Sequence, residues 1–235
     1  MNVAASNVSL EFKLGSVVDE QQIFSNQSQF DKVAKKCRLA PGDVLQLSGP
    51  SSLSCSKIYF IECLSWDGAK GLSVQALGDG LRKCLDLCRQ QGCISVAFPV
   101  IGPGISLMIP QTEAIRVLKE KIIQFVSSQN HGTVSNIRIV IKEDYPDSEE
   151  FYHEVYRHFS LNQESQAIFK SVTGNLDEIT ITVPDGVKLQ LAFGDISNET
   201  TDVVVNTTDF SNFNTDVCKA ILAKAGPVVE QAESR

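Results

Sequence analysis

The sequence predicts an α/β protein in which a largely parallel sheet carries helices on both faces. Two observations lead to this prediction. Apolar strands and amphipathic helices alternate between residues 57 and 159, and a strand pattern near the N-terminus returns late in the chain. We therefore expect one α/β unit followed by the beginning of a second copy of it.

Composition and charge restrict the class of protein. The chain has 235 residues, of which 43% are apolar and 21% charged, with a mean hydropathy of −0.03. Such a chain buries enough apolar surface to fold, and no apolar stretch approaches the ~20 residues that span a bilayer. Seven cysteines without regular spacing indicate free thiols in a reducing compartment, so we expect an intracellular protein, nuclear or cytoplasmic. A formal charge of −7 argues against a direct nucleic-acid footprint, and we expect no signal peptide and no membrane association.

The elements of the first unit follow from hydrophobic periodicity. Strands are predicted at 57–63, 93–101 and 137–141, and the near-continuous apolar run of the second indicates a strand buried on both faces. Helical stripes are predicted at 74–88, at 115–125 with Pro110 in the first turn, and at 148–159.

Two distant segments share one strand pattern. Val8-Ser-Leu-Glu-Phe-Lys-Leu-Gly15 and Val187-Lys-Leu-Gln-Leu-Ala-Phe-Gly194 both alternate apolar and polar residues and stop at glycine, and Glu20 and Glu199 share the same offset. The spacing is far longer than a solenoid repeat of ~20–50 residues and fits one domain plus a linker. A chance match of two amphipathic strands is the alternative.

The repeat suggests three divisions of the chain. We expect a first unit over 1–160 with a shortened front end, a polar linker over 161–175, and the N-terminal part of a second unit over 176–235. The second unit is predicted to contain a hairpin (179–183 and 187–193), a strand at 201–206 and a helix at 216–225. Because this unit breaks off after its helix, we expect a piece of a longer protein. Its hairpin and helix should be less stable than the first unit or dock onto it.

Three stretches together resemble the macrodomain family, whose α/β modules bind ADP-ribose. They are Gly194-Asp195-Ile196 with the strand 202–209, the helix 217–226, and Ser95-Val-Ala-Phe-Pro-Val-Ile-Gly-Pro-Gly104. The resemblance implies a three-layer α/β/α fold with a mixed sheet, followed by a partial second macrodomain. The tandem arrangement is similar to macrodomain-bearing mono-ADP-ribosyltransferases, whose NAD-using transferase domain is absent from these residues.

The resemblance also implies the ligand-binding residues. The phosphate loop would be formed by Gly102, Pro103, Gly104, Ile105 and Ser106, where the glycines let backbone N–H groups approach a diphosphate. Asp195 would accept a hydrogen bond from the adenine amine, with the amide of Ile196 at the ring edge. Asp209 would lie at the distal ribose, and Asn206, in the same ligand-binding strand end, would be retained for structural hydrogen bonds. For Gly102–Gly104 a simple tight turn is the alternative, and for Asp195 an aspartate that caps the next element.

Several positions depart from the family pattern. Asp209 stands where an asparagine positions water in hydrolysing members, and the loop 210–216 has no glycine. In the first unit Ser16 replaces the adenine-side aspartate, and a strand at 23–26 followed by a helix at 30–37 leaves no room for the second phosphate loop. Neither predicted unit therefore holds a complete ADP-ribose site.

Three functions remain open. The first is a module that binds ADP-ribose or mono-ADP-ribosylated protein through weakened sites, the second a macrodomain without ligand binding that acts as a spacer or protein-interaction module, and the third an ADP-ribosyl hydrolase. For these residues we expect no catalytic residue, no metal and no cofactor, with ADP-ribose as the ligand. Cys84, Cys88 and Cys93 complete no zinc-ligand pattern and are interpreted as buried thiols, and the histidines at 131, 153 and 158 as surface residues.

Overall fold

The structure is a computed structural model, and it describes residues 17–18, 39–68, 71–103, 107–128, 130–142, 148–160, 171–174, 178–182, 186–208 and 216–225. The predicted features at 8–15, 23–26 and 30–37 fall outside the described residues.

One mixed sheet organises the described residues. Its nine strands are β1 (Val17–Val18), β2 (Val44–Ser48), β3 (Lys57–Glu62), β4 (Ser95–Pro99), β5 (Asn136–Ile141), β6 (Ser171–Gly174), β7 (Glu178–Thr182), β8 (Lys188–Phe193) and β9 (Val203–Thr208). They lie in the order β1-β2-β3-β9-β4-β5-β8-β7-β6. The five central strands β3, β9, β4, β5 and β8 are parallel, whereas β2, β7 and β6 pair antiparallel to their inner neighbours. The predicted largely parallel sheet is confirmed.

Helices cover both faces of this sheet. Three of them, α1 (Leu72–Gln90), α2 (Gln111–Ser127) and α3 (Ser148–Ser160), pack on one face, and α4 (Asp216–Ala225) packs on the other. Successive side chains of β3 point to opposite faces of the sheet. Tyr59 and Ile61 lie in the core under α1, whereas Ile58 and Phe60 lie in the core under α4. The predicted three-layer α/β/α architecture is confirmed.

The C-terminal strands lie inside the same sheet as the N-terminal ones. Strand β9 pairs with β3 along its whole length and with β4 at Val203 and Val204, so it occupies the centre of the sheet. Strand β8 pairs with β5 from Asn136–Lys188 to Ile141–Phe193 and continues into the predicted hairpin with β7. The described residues thus form one sheet, in which the predicted hairpin is docked. That residues 176–235 also begin a second macrodomain stays a prediction.

An ion pair fixes the junction of β5, β7 and β8. The Arg138 guanidinium lies 2.7 Å from the Glu199 carboxylate and 3.1 Å from Gln190 Oε1, and Gln190 Nε2 donates to Glu178 at 2.7 Å. Glu199 is the residue that the repeat pairs with Glu20. Its place in this junction gives a structural reason for a glutamate at that position.

Candidate functional site

The carboxyl ends of the five parallel strands share one edge of the sheet. Gly194 and Asp195 follow β8, Gly102 follows β4, and Asn206 lies near the end of β9. Ligands of open parallel sheets bind at this edge, in the crevice where neighbouring strands separate. The fold therefore brings together residues from three predicted binding segments.

A separation between β4 and β9 opens this edge. The two strands pair only at Val96–Val203 and Ala97–Val204, and their remaining residues toward the carboxyl ends are not paired with each other. Asn206 lies in this diverging part of β9, is 1% exposed, and its Nδ2 has no hydrogen-bond partner among the residues that the structure describes. A buried amide donor that lacks a hydrogen-bond partner costs free energy. A ligand oxygen that accepted a hydrogen bond from this donor would therefore stabilise the bound state.

The loop after β4 depends on a glycine. Gly102 has φ +118°, a backbone conformation that residues with a Cβ rarely adopt. An added Cβ would also lie 3.2 Å from both Ala114 Cβ and Ile109 Cβ. Its carbonyl accepts a hydrogen bond from Ile109 N at 3.0 Å, which closes the loop. Leu107 O accepts from Trp66 N at 2.6 Å and ties the loop to the segment after β3. Gly102 and Pro103 are thus placed at the site, whereas Gly104, Ile105 and Ser106 lie outside the described residues.

Asp195 caps the short 3-10 helix Ile196–Asn198. Its Oδ1 accepts a hydrogen bond from Ser197 N at 2.8 Å, and Ile196 is buried in the core under α4. Lys224 of α4 holds the same turn by donating to Ser197 O at 2.9 Å and to Asn198 Oδ1 at 2.6 Å. Asp195 thus caps the next element, as its capping interpretation predicted. Because only Oδ1 accepts the capping hydrogen bond, Oδ2 can accept one from a further donor.

Part of the chain is similar to a known family of proteins. Residues 5–118 match the model of the Macro domain family. These residues, just under half of the chain, are therefore similar to a Macro domain. The chain is also similar to the protein mono-ADP-ribosyltransferase PARP14 of Homo sapiens, with 27% identity over 216 residues, which cover 87% of this chain. The chain spans 12% of the length of that relative.

An aromatic pair borders the site, and the sequence analysis did not predict this contact. Tyr152 of α3 stacks on Phe193, the last residue of β8, with ring centroids 4.4 Å apart and an angle of 15° between the rings. Phe193 directly precedes Gly194 and Asp195, so the stack lies beside the predicted adenine position. The available signal was an aromatic residue at the end of a predicted strand, but the sequence did not show which helix would cover it.

Other predicted residues have definite places. Asp209 and the loop 210–215 lie outside the described residues. Cys84, Cys88 and Cys93 are buried, which confirms their interpretation as buried thiols. No group of three His, Cys, Asp or Glu side chains among the described residues could hold a metal ion, and none of the described helices is long and apolar enough to cross a membrane.

Proposed function

We propose that this chain binds an ADP-ribose unit, free or attached to protein, along the edge formed by the ends of β4, β8 and β9. Macro domains generally bind ADP-ribose, and the similar human protein carries the name of a mono-ADP-ribosyltransferase. The observation that carries the proposal is buried Asn206 between the diverging ends of β4 and β9, since no described residue accepts a hydrogen bond from its Nδ2. We also propose that the protein acts inside the cell as a reader of this modification rather than as an enzyme.

The charges and aromatic surfaces of this edge suggest an orientation for the ligand. Asp195 at the end of β8 suits the adenine, since a carboxylate oxygen accepts from an exocyclic amine and the aromatic pair of Phe193 and Tyr152 lies next to it in the fold. Gly102 at the end of β4 suits the diphosphate, because backbone N–H groups can approach an anion closely where side chains are missing. Asn206 would donate to an oxygen in the central part of the ligand.

Two observations favour weak binding of ADP-ribose. One carboxylate oxygen of Asp195 already accepts a hydrogen bond from Ser197 N, and Pro103 lacks the N–H that another residue would donate to a phosphate. They also keep open the second candidate function, a Macro domain that has lost ligand binding and serves as a protein-interaction module.

Calorimetric titration of the full chain with ADP-ribose tests the proposal. Asp195→Asn is the informative variant, because the amide oxygen can still cap Ser197 N while the charge at the adenine side is removed. We expect the affinity to fall about tenfold, as for the loss of one charge-assisted hydrogen bond of about 1.5 kcal/mol. The thermal midpoint without ligand should change little.

A second pair of variants separates the site from general charge effects. Asn206→Asp puts a carboxylate where we place an anionic ligand and should abolish binding, whereas Asn136→Asp makes the same charge change at the amino end of β5 and should leave the affinity unchanged. Absence of heat with ADP-ribose in the unaltered chain would eliminate the proposed reader function and support the protein-interaction module.

A further inference from the structure

The amino ends of the central strands carry a pair of thiols at the opposite edge of the sheet from the ligand site. Helix α1 ends in a turn in which Gly92, at φ +68°, donates from its N to Arg89 O at 3.3 Å, and Cys93 N donates to Cys88 O at 2.9 Å. These two hydrogen bonds define a Schellman motif, with Cys88 three positions inside the helix end and Cys93 two positions beyond it. Apolar side chains at these two positions frequently contact each other in this motif, and here the Cys88 thiol interacts with Cys93.

The two thiols have different environments. Cys88 is fully buried and donates a hydrogen bond to Cys93, while Cys93 is 5% exposed and lies next to the exposed Ile94. Lys57 Nζ, at the start of β3, lies 4.0 Å from Cys93 Sγ. The Tyr59 hydroxyl of the same strand donates its proton to Gln91 Oε1 at 3.0 Å. The Cys88 thiol and the Lys57 ammonium group therefore converge on the sulfur of Cys93.

These donors distinguish Cys93 from Cys55, Cys63, Cys84 and Cys88. The pKa of its thiol is lowered to about 7, first by the hydrogen bond from Cys88 and then by Lys57, against the opposing effects of burial and of the Asp202 carboxylate. Burial raises the pKa of the thiols of Cys55, Cys63 and Cys84, and the pKa of Cys88 is also raised. One nucleophilic thiolate thus lies against one protonated thiol, the arrangement of an attacking and a resolving cysteine.

We propose that Cys88 and Cys93 form a peroxide-oxidisable dithiol, a modification site separate from the ligand edge. The Cys93 thiolate attacks one oxygen of hydrogen peroxide, so that an S–O bond forms, the O–O bond breaks, and the departing hydroxide takes up a proton to become water. The sulfur of Cys88 then attacks the sulfenic sulfur of Cys93, so that the S–S bond forms and the S–O bond breaks. The second hydroxide leaves with the proton from Cys88 as water. Two thiols are oxidised by two electrons in total, and one peroxide is reduced to two waters.

The resulting bond would fasten the end of α1 to the beginning of β4. Lys57 acts as a positioning residue, since its ammonium group stabilises the thiolate without taking part in bond formation. Because the dithiol lies at the amino ends of the strands, its oxidation should leave residues at the ligand edge in place.

Peptide mapping of the full chain after hydrogen peroxide treatment tests the proposal. Trypsin places Cys88 in the peptide 84–89 and Cys93 in the peptide 90–116, so the disulfide joins two separate peptides and removes two hydrogens from the intact mass. Cys84 shares the first peptide, and the Cys84→Ala variant should therefore still form the linked pair. If the two peptides stay unlinked in the unaltered chain, with both thiols reduced or Cys93 oxidised further, the proposal is wrong.

Two variants separate the steps. Cys88→Ser should stop at the sulfenic acid of Cys93, which dimedone traps, and Cys93→Ser should leave Cys88 reduced. Lys57→Gln should shift the midpoint of the pH profile of Cys93 alkylation upward from near 7, whereas a merely structural role of Lys57 would leave the midpoint unchanged. The mapping of the unaltered chain requires no variant, so it decides the question even where a variant fails to fold.

Discussion

Two buried glycines in α1 face different neighbours, and this difference predicts opposite effects of the same substitution. Replacing glycine by alanine in a helix interior stabilises by up to about 1 kcal/mol through helix propensity alone. At Gly80 the added Cβ would overlap Ile61 Cγ2 and lie 3.2 Å from Ile61 Cβ. Ile61 is fully buried in β3, between β2 and β9, and cannot move aside without disturbing the sheet.

Overpacking of this kind costs about 1–3 kcal/mol, and the rigid neighbour places Gly80→Ala in the upper part of that range. After subtraction of the propensity gain, we expect a net destabilisation of about 1–2 kcal/mol. For a domain of this size that corresponds to a fall in Tm of roughly 2–8 °C.

Gly78→Ala is the matched control. Its Cβ would meet Lys121 Cε at 3.0 Å, the far end of a flexible side chain, and Val117 Cγ1 at an ordinary 3.5 Å. The lysine can shift, so the propensity gain should remain and the free energy of unfolding should rise by about 0.5–1 kcal/mol. Urea denaturation of both variants measures the difference. A Gly80→Ala protein as stable as Gly78→Ala would refute the packing described between α1 and β3.

Two further predictions concern strand β9 and the turn before it. Asp202 Oδ2 accepts from Ile94 N at 2.6 Å and Ser95 N at 3.0 Å, so Asp202→Ala should destabilise the chain by about 1–3 kcal/mol. Asp202→Asn, which keeps one acceptor oxygen, should cost less in the same denaturation experiment, and equal losses would contradict this role. Deletion of residues 176–235 should abolish cooperative unfolding in calorimetry, because β3 and β4 then lose the strand between them. A fragment 1–175 that unfolds cooperatively near the midpoint of the full chain would show that another segment fills the position of β9.

Much of the secondary structure was predictable from local patterns. Strict alternation identified β8, an unbroken apolar run identified β4, and the stripe from Val74 to Cys88 identified α1. Strand β2 was missed because Gln46 is buried with its apolar neighbours, so its sequence does not alternate. Strand β6 lies within the segment predicted as a linker.

The order of strands was beyond local patterns. The insertion of β9 between β3 and β4 depends on pairing between residues far apart in sequence, such as Phe60 with Asn206. The hairpin and α4 were predicted to be less stable than the first unit or to dock onto it, and in the structure they pack against its sheet.

The site was predictable in part. Glycine at 102 and aspartate at 195 were identified by resemblance, and the structure gives each a local requirement, a positive φ and a helix cap. The stack of Tyr152 on Phe193 was not predictable, because it joins two elements whose packing no motif encodes. The pairing of the thiols of Cys88 and Cys93 was also not predictable. Their spacing in sequence predicts that they lie close together only if the helix is known to end at Gly92.

The central position of β9 has a consequence for how the protein is made. The ribosome synthesises β2, β3, α1 and β4 long before it reaches Val203. The edges of β3 and β4 that pair with β9 therefore stay unpaired until β9 has been translated. Nascent chains that stall before this point present two unpaired parallel edges and should depend on chaperones.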